Sequence, residues 1–152
     1  MMFKHEDSDG SKPTGIYLID FQLSMLDSPV KDLSYFLYTA CDKHLLEKFE
    51  HLLQTYYDSL CATLKLLGCV PEECLTYECL LDHWKKYGGF GLIMSTFILK
   101  LELLKPEEVL DLAHLLGNDS QSPQANTVKM DNEEFYNNRI FDCFVHFGEM
   151  FL

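Results

Sequence analysis

The sequence predicts one mostly helical α+β domain in which an N-terminal β-hairpin leads into five or six packed helices. The first 20 residues contain two short apolar runs separated by a long stretch of turn-forming residues, which is typical of a β-hairpin. From residue 28 onward, apolar residues recur at intervals of three and four, which indicates helices packed on a core. A chain of 152 residues is the size of a single domain, and we assign all of residues 1–152 to it.

The hairpin is predicted over residues 1–20. A short apolar start, "MMF", precedes the polar stretch "KHEDSDGSKPTG", and the run "IYLID" then supplies β-branched and aromatic residues up to Asp20. The segment "DSDGSKPTGIYL" has the alternating acidic residues of a calcium loop. It lacks a glycine at the sixth place, however, and has Leu18 where the bidentate glutamate would stand. We therefore interpret this segment as a solvated hairpin tip.

Helices are predicted over residues 28–152. Ser28 and Pro29 form an N-cap and first-turn pair for the first helix, and a long second helix is expected to run from Leu45 to Gly68. A short helix at Pro71 follows. Thr76 then caps a long helix, "YECLLDHWKKYGGFGLIMSTFILKLEL". The second half of that helix is apolar nearly all round, which predicts a central core helix.

Two further helices are predicted near the C-terminus. One begins at Lys105-Pro106 and ends at Gly117-Asn118, and the polar loop "NDSQSPQANTVK" follows it. Asp131 and Glu134 have the spacing of a capping box for the last helix. The glycines of "YGGFGL" are interpreted as sites of close helix packing rather than as a phosphate-binding loop, because no strand precedes them.

Composition limits the classes of function. The net charge of −12 argues against nucleic acid or an anionic membrane as a partner, but it allows a nucleotide held by a metal ion. The N-terminus resembles no signal peptide, and no apolar run reaches the roughly 18 residues of a membrane span, so a cytoplasmic protein is expected. The six cysteines lack a zinc-binding spacing and are expected to be reduced and mostly buried. The histidines show no ligand or catalytic spacing.

Asp20 is the most informative polar residue, because a carboxylate at the end of an apolar strand is costly unless something compensates it. In one interpretation, Asp20 caps a turn and Asp32 only complements the dipole of the following helix. In the other, the strand delivers Asp20 to a magnesium ion that holds nucleotide phosphates, since Mg²⁺ needs only one or two carboxylates beside phosphate oxygens. The residues alone leave both interpretations open.

The order of strand, "IDFQ", short loop, "SPVKDLSYFLYT" and long helix resembles the ecdysteroid kinase-like family, a CHK kinase-like branch of the protein-kinase-like fold. The resemblance is most specific in "LIDFQLSMLDSPVKDLSYFL" and extends to the "YGGFGL" helix. It implies a C-lobe of the aminoglycoside- and choline-kinase type. It also implies that Asp20 is the metal-binding aspartate, that Gln22 replaces the glycine of Asp-Phe-Gly, and that Asp32 braces the catalytic loop.

The resemblance also implies that parts of the kinase are missing. In the family, a His-Gly-Asp loop, a metal-binding Asn and an ATP-binding lobe with its lysine precede the hairpin, whereas this sequence starts at Met1. We therefore expect Mg²⁺ and ATP to serve the full-length enzyme, which would phosphorylate a hydroxyl of a steroid-like or other small alcohol. The fragment itself is expected to be inactive. The alternative is a non-catalytic helical binding or regulatory remnant. Apolar surface left uncovered would favour self-association.

Overall fold

The computed structural model describes residues 2–5, 12–19, 21, 24–103 and 132–150. Strands β1 (Met2–His5) and β2 (Pro13–Tyr17) form the predicted antiparallel hairpin, with Phe3 opposite Ile16. The second strand ends at Tyr17 and does not continue through Ile19, because Tyr17 already pairs with Met2 at the start of β1. Both faces of this two-stranded sheet are exposed to solvent.

The helical part begins at the predicted N-cap. The Ser28 hydroxyl accepts a hydrogen bond from the backbone N–H of Val30, and Pro29 occupies the first helical position. Seven helices follow in the described ranges: α1 (Pro29–Ala40), α2 (Lys43–Leu46), α3 (Phe49–Leu66), α4 (Pro71–Cys74), α5 (Tyr77–Tyr87), α6 (Gly89–Glu102) and α7 (Glu133–Glu149).

Two predicted helix ends are confirmed by their local geometry. Gly68 lies just beyond α3 with a φ of +78°, a conformation that favours glycine, and the chain turns there into α4. The Thr76 hydroxyl accepts from the backbone N–H of Cys79 and caps α5. The predicted helix at residues 105–118, the loop after it and Asp131 of the predicted capping box lie outside the described residues.

Two predicted long helices are each divided in the structure. The first breaks between α2 and α3 at Glu47 and Lys48, where the Lys48 N–H turns back to the carbonyl of Leu45 and tightens the backbone. The second breaks at Gly88, the last residue before α6. Adjacent glycines are weak helix formers, so a break at Gly88-Gly89 costs little.

The core is built around Trp84 of α5 and Tyr38 of α1, both of which are fully buried. Their rings lie 6.0 Å apart, and the ring of Phe49 lies 4.6 Å from that of Trp84. Leu53 of α3 and Leu80 of α5 are buried in the same cluster. The core therefore joins α1, α3 and α5, and buried aromatic side chains supply much of its apolar area.

Helices α1 and α6 are in close contact at Gly91. A Cβ atom at this position would lie 2.1 Å from the carbonyl carbon of Ser34, and the Gly91 N–H donates to the Ser34 hydroxyl at 3.2 Å. The prediction that this glycine serves close helix packing is confirmed. Only a residue without a side chain lets the two backbones approach this closely.

The prediction that α6 is a central core helix is wrong for one of its sides. Leu92 and Leu99 are buried, but Phe90, Ile93 and Phe97 are exposed. Helix α6 packs on α1 through one side and leaves its opposite side uncovered in the described structure, so an all-apolar composition did not mean burial on every side.

The six cysteines are less buried than predicted. Cys41 and Cys143 are buried, Cys61 and Cys79 are half-buried, and Cys69 and Cys74 are exposed. Burial raises the pKa of the Cys143 thiol to about 11, and it also raises that of Cys41. Of the two exposed cysteines, Cys69 lies between α3 and α4 and Cys74 is the last residue of α4, a surface segment whose sequence gives no signal of burial. No helix in the part of the chain that the structure describes is long and apolar enough to cross a membrane.

Candidate functional site

The loop between β2 and α1 holds the predicted metal ligand. Asp20 and Gln22 lie outside the described residues, so their predicted roles remain predictions. Their described neighbours Ile19 and Phe21 are exposed, and the backbone N–H of Ser24 donates to the Phe21 carbonyl at 3.1 Å.

Asp32 lies in the first turn of α1, where its charge complements the positive end of the helix dipole. It is exposed to solvent. Burial raises the pKa of Tyr56 on α3, and the Asp32 carboxylate raises it further, which places Asp32 on the side of α1 that faces α3. The predicted brace of a catalytic loop is not tested by these contacts.

Ser28 and His83 connect the start of α1 to α5. The Ser28 hydroxyl lies 3.0 Å from Nδ1 of His83, and Nε2 of the same ring lies 3.7 Å from the Cys79 thiol sulfur. The His83 ring also contacts the edge of Tyr87, with centroids 5.4 Å apart. This chain of contacts ties the N-terminal end of α1 to α5.

Asp27 and Lys31 form a second connection at the same end of α1. The Lys31 ammonium donates to the Asp27 carboxylate, and the Ser28 N–H donates to it at 2.7 Å. The hydrogen bond from Lys31, and to a smaller extent that from the Ser28 N–H, holds the pKa of Asp27 below its usual range. Lys31 also lies 5.7 Å above the centre of the Phe90 ring of α6. The last turn of the loop is thus tied to both α5 and α6.

A pocket of about 510 Å³ lies at the opposite end of α1. Its walls come from the α2–α3 junction and the end of α7, and include Glu47, Glu50, His51, His146 and Glu149. Helix α1 has 12 residues and is therefore about 18 Å long, so this pocket is remote from Ser28 at the start of α1.

His146 separates the pocket from the core. Its Nδ1 lies 3.1 Å from the Tyr38 hydroxyl, and its ring contacts the edges of Tyr38 and Phe49. Partial burial lowers the pKa of His146, although the Glu149 carboxylate counteracts that effect. Burial also raises the pKa of Tyr38. At neutral pH both groups are uncharged, as their position beside the aromatic core requires.

The sequence shows no ligand or catalytic spacing among the histidines, and it did not predict the contacts of His83 and His146. Cys79 and His83 are four residues apart on one helix, which the sequence does show. The partners Ser28 and Tyr38 lie 55 and 108 residues away and give no local signal. Among the residues that the structure describes, which do not include Asp20, no three His, Cys, Asp or Glu side chains converge to hold a metal ion.

Comparison with known proteins identifies one relationship. Residues 1–69 of the 152 match the model of the ecdysteroid kinase-like family, which confirms the resemblance over the hairpin, the loop with Asp20, α1, α2 and α3. No curated protein and no solved structure matches the chain significantly. The matched segment thus contains both predicted site residues, Asp20 and Asp32, whereas α4 to α7 lie outside it.

Proposed function

We propose that the chain is a C-terminal part of an ATP-dependent kinase that phosphorylates a small alcohol, because residues 1–69 match the model of the ecdysteroid kinase-like family. In this proposal Asp20 binds the Mg²⁺ that bridges the ATP phosphates, and Asp32 supports the catalytic loop from the first turn of α1. The observation that carries the proposal is the position of Asp20 within the matched segment, between a strand and a capped helix. A single carboxylate is sufficient as the protein's share of such a magnesium site.

The exposure of the hairpin supports the proposal that further protein completes the kinase. Phe3 and Ile16 on one side and Met2 and Tyr17 on the other are each more than half exposed. A two-stranded hairpin with apolar residues on both faces is expected to pack against other parts of a protein. A protein-kinase-like fold would supply those parts from its other lobe and its catalytic loop.

Residues 1–152 contain no His-Gly-Asp sequence, so the proposal assigns the catalytic base to another part of the kinase. Phosphoryl transfer depends on several groups that act together, and loss of one group is not compensated by those that remain. We therefore expect residues 1–152 by themselves to transfer no phosphate from ATP to an ecdysteroid or any other small alcohol.

The deciding experiment is a phosphoryl-transfer assay on the native polypeptide that carries these residues, with Asp20→Asn as the test variant. We expect loss of magnesium-dependent transfer with unchanged circular dichroism. Asp58→Asn, on the exposed surface of α3, is the matched control and should retain full activity. Full activity of Asp20→Asn would refute the metal-binding role of Asp20. Phosphoryl transfer by residues 1–152 alone would refute the assignment of the catalytic base to another part of the kinase.

A non-catalytic binding module is the second candidate, because the described helices share a buried aromatic core. A thermal melt of residues 1–152 with and without Mg–ATP distinguishes the two candidates. A ligand at concentration L that binds only the folded state stabilises it by RT ln(1 + L/Kd), so the melting temperature rises once the ligand concentration exceeds its Kd. A rise that requires both Mg²⁺ and the Asp20 carboxylate supports the kinase, whereas a cooperative melt with no response supports the binding module.

A further inference from the structure

Helix α6 has an apolar side that no other described part of the chain covers. The exposed fractions of Phe90, Ile93 and Phe97 are 43%, 61% and 61%. Residues three and four apart share one face of a helix, so these three side chains form a single stripe. The buried residues Gly91, Leu92, Ser95 and Leu99 occupy the opposite side. A helix that is apolar on all sides is normally covered on all sides.

Helix α7 lies antiparallel beside α6. Near the start of α7 the Tyr136 hydroxyl donates to the Thr96 carbonyl at 2.9 Å. Near its end the ring of Phe147 lies 3.5 Å from the position of a Cβ atom on Gly89. Residue numbers therefore increase along one helix as they decrease along the other, and residues 141 and 144 stand level with residues 93 and 90.

Phe141 and Phe144 extend the stripe of α6 onto α7. Their exposed fractions are 66% and 51%, and both lie away from Arg139 and Cys143, the buried residues of α7. We call the resulting surface the outer apolar face; it consists of Phe90, Ile93, Phe97, Phe141 and Phe144. None of its five residues is charged, although the chain carries a net charge of −12.

We propose that the outer apolar face binds the same face of a second copy of this chain and forms a two-fold symmetric dimer. Large apolar side chains contribute about 150–250 Å² each when buried, so five half-exposed ones offer about 500 Å² per copy. The pair would bury about 1,000 Å² in total, which is the lower limit for a specific interface and fits a weak, concentration-dependent dimer.

Net charge opposes self-association, and the uncharged composition of the outer apolar face is what allows a second copy to bind there. Two chains of charge −12 repel each other, so stable contact needs a face without carboxylates, and the outer apolar face is one. Added salt screens this repulsion and should tighten the dimer. A basic partner attracted by the acidic surface would show the opposite dependence and bind more weakly as salt rises.

The experiment is sedimentation equilibrium of the whole chain over a range of about 1–100 µM, since interfaces of this size commonly bind in the micromolar range. We expect a monomer–dimer equilibrium whose Kd falls as salt is raised. Ile93→Glu and Phe97→Glu should each weaken dimerisation at least tenfold. Leu66→Glu on α3 is the matched control; Leu66 is 88% exposed and lies outside the outer apolar face, so its Kd should not change.

Both test variants replace exposed side chains, and circular dichroism with a cooperative melt verifies that they fold. A monomer at every concentration would overturn the proposal, as would an Ile93→Glu chain that dimerises as tightly as the unmodified one. If the chain is monomeric, an Ile93→Cys variant shows whether the outer apolar face is covered or open to solvent. If its thiol resists a labelling reagent in the monomer, another segment of the same chain covers the face, and the dimer is refuted. These outcomes do not depend on Asp20, on magnesium or on the proposed kinase activity.

Discussion

At the residue scale, Arg139 connects two distant parts of the chain. It is the chain's sole arginine, it is only 9% exposed, and its guanidinium donates to the backbone carbonyls of Cys41 and Thr39, the latter at 3.2 Å. The last carbonyls of a helix have no partner within the helix, and they carry its negative dipole end. Arg139 of α7 therefore supplies the C-terminal cap that α1 lacks in its own sequence.

Replacing Arg139 should destabilise the fold. Arg139→Met removes both donors but keeps most of the side chain's apolar volume, so we expect the free energy of unfolding to fall by about 2–3 kcal/mol in a urea titration. The free energy of unfolding of Arg139→Lys should lie between those of Arg139→Met and the unmodified chain, because an ammonium lacks the planar guanidinium that reaches both carbonyls. Lys43→Met, an exposed position on α2, is the control and should change stability little. An unchanged midpoint for Arg139→Met would show that the cap contributes nothing.

His146 should make stability depend on pH. Its pKa is lowered in the folded state, chiefly by burial, so the unfolded chain binds a proton more readily than the folded chain. Its contribution is fully present above its unfolded pKa of about 6.5, and stability is lost as the pH falls below that value. His146→Gln should flatten the change in urea midpoint between about pH 7 and 5. His44→Gln, at a side chain that is 86% exposed, should leave the pH dependence of the urea midpoint intact. If His44→Gln flattened it as much as His146→Gln, the pH dependence would not come from the burial of His146.

Residue-scale features were predictable where the signal was local. Ser28, Thr76 and Gly68 each act through backbone groups within four residues, and their sequence signatures were correct. Arg139 and His83 act on partners 98 and 55 residues away, and nothing in the surrounding sequence specifies those partners. Such contacts depend on which helices the fold brings together.

At the element scale, the contact between α1 and α6 depends on Gly91. The Cβ of Gly91→Ala would lie 2.1 Å from the Ser34 carbonyl carbon and 2.3 Å from the Tyr35 nitrogen, so the two helices would have to separate. We expect the free energy of unfolding to fall by about 2 kcal/mol or more. Gly148→Ala is the matched control. Gly148 is exposed in α7, and a Cβ atom added there would have no atom within 4 Å beyond its chain neighbours and its own helix backbone. Alanine at this position should stabilise the fold by about 0.5–1 kcal/mol.

These two variants test the packing argument as a pair, because both place alanine in a helix. Thermal or urea unfolding should move in opposite directions for Gly91→Ala and Gly148→Ala. If both variants gained stability, helix propensity alone would explain the result, and the close approach of α1 and α6 would carry no energetic cost.

Hydrophobic periodicity predicted the amphipathic helices better than the uniformly apolar one. In α1 the spacing predicts an apolar face of Val30, Leu33, Phe36, Leu37 and Ala40. Val30 and Leu37 are buried as expected, whereas Phe36 and Ala40 are exposed and the buried Tyr38 was not predicted. In α6 every side carries large apolar residues, so periodicity could not distinguish the side that packs on α1 from the outer apolar face. The breaks at Lys48 and Gly88 were likewise invisible, because the apolar pattern continues across both of them.

At the scale of the whole molecule, the described chain divides into a helical core and an exposed hairpin. Strands β1 and β2 pair with each other and make no extensive contact with the helices, while their apolar residues remain exposed. The family match covers both parts, since it runs from residue 1 to residue 69. The order of elements was predictable from the sequence. The independence of the hairpin was not, because the residue pattern of a strand does not indicate which part of the protein covers it.

This division predicts that the hairpin does not contribute to the stability of the helical core. Ile16→Asp, at a side chain that is 59% exposed, should leave the urea midpoint of the helical far-ultraviolet signal unchanged. Leu80→Ala is the positive control; it truncates a fully buried core residue and should cost about 2–5 kcal/mol. Hydrogen exchange should show the amides of β1 and β2 exchanging well before those of α3 and α5, because an isolated two-stranded hairpin is only marginally stable in water. Equal protection of β2 and α5, or a large loss of stability in Ile16→Asp, would mean that the hairpin and the helices unfold as one unit, and that the loop carrying Asp20 is held as rigidly as the core.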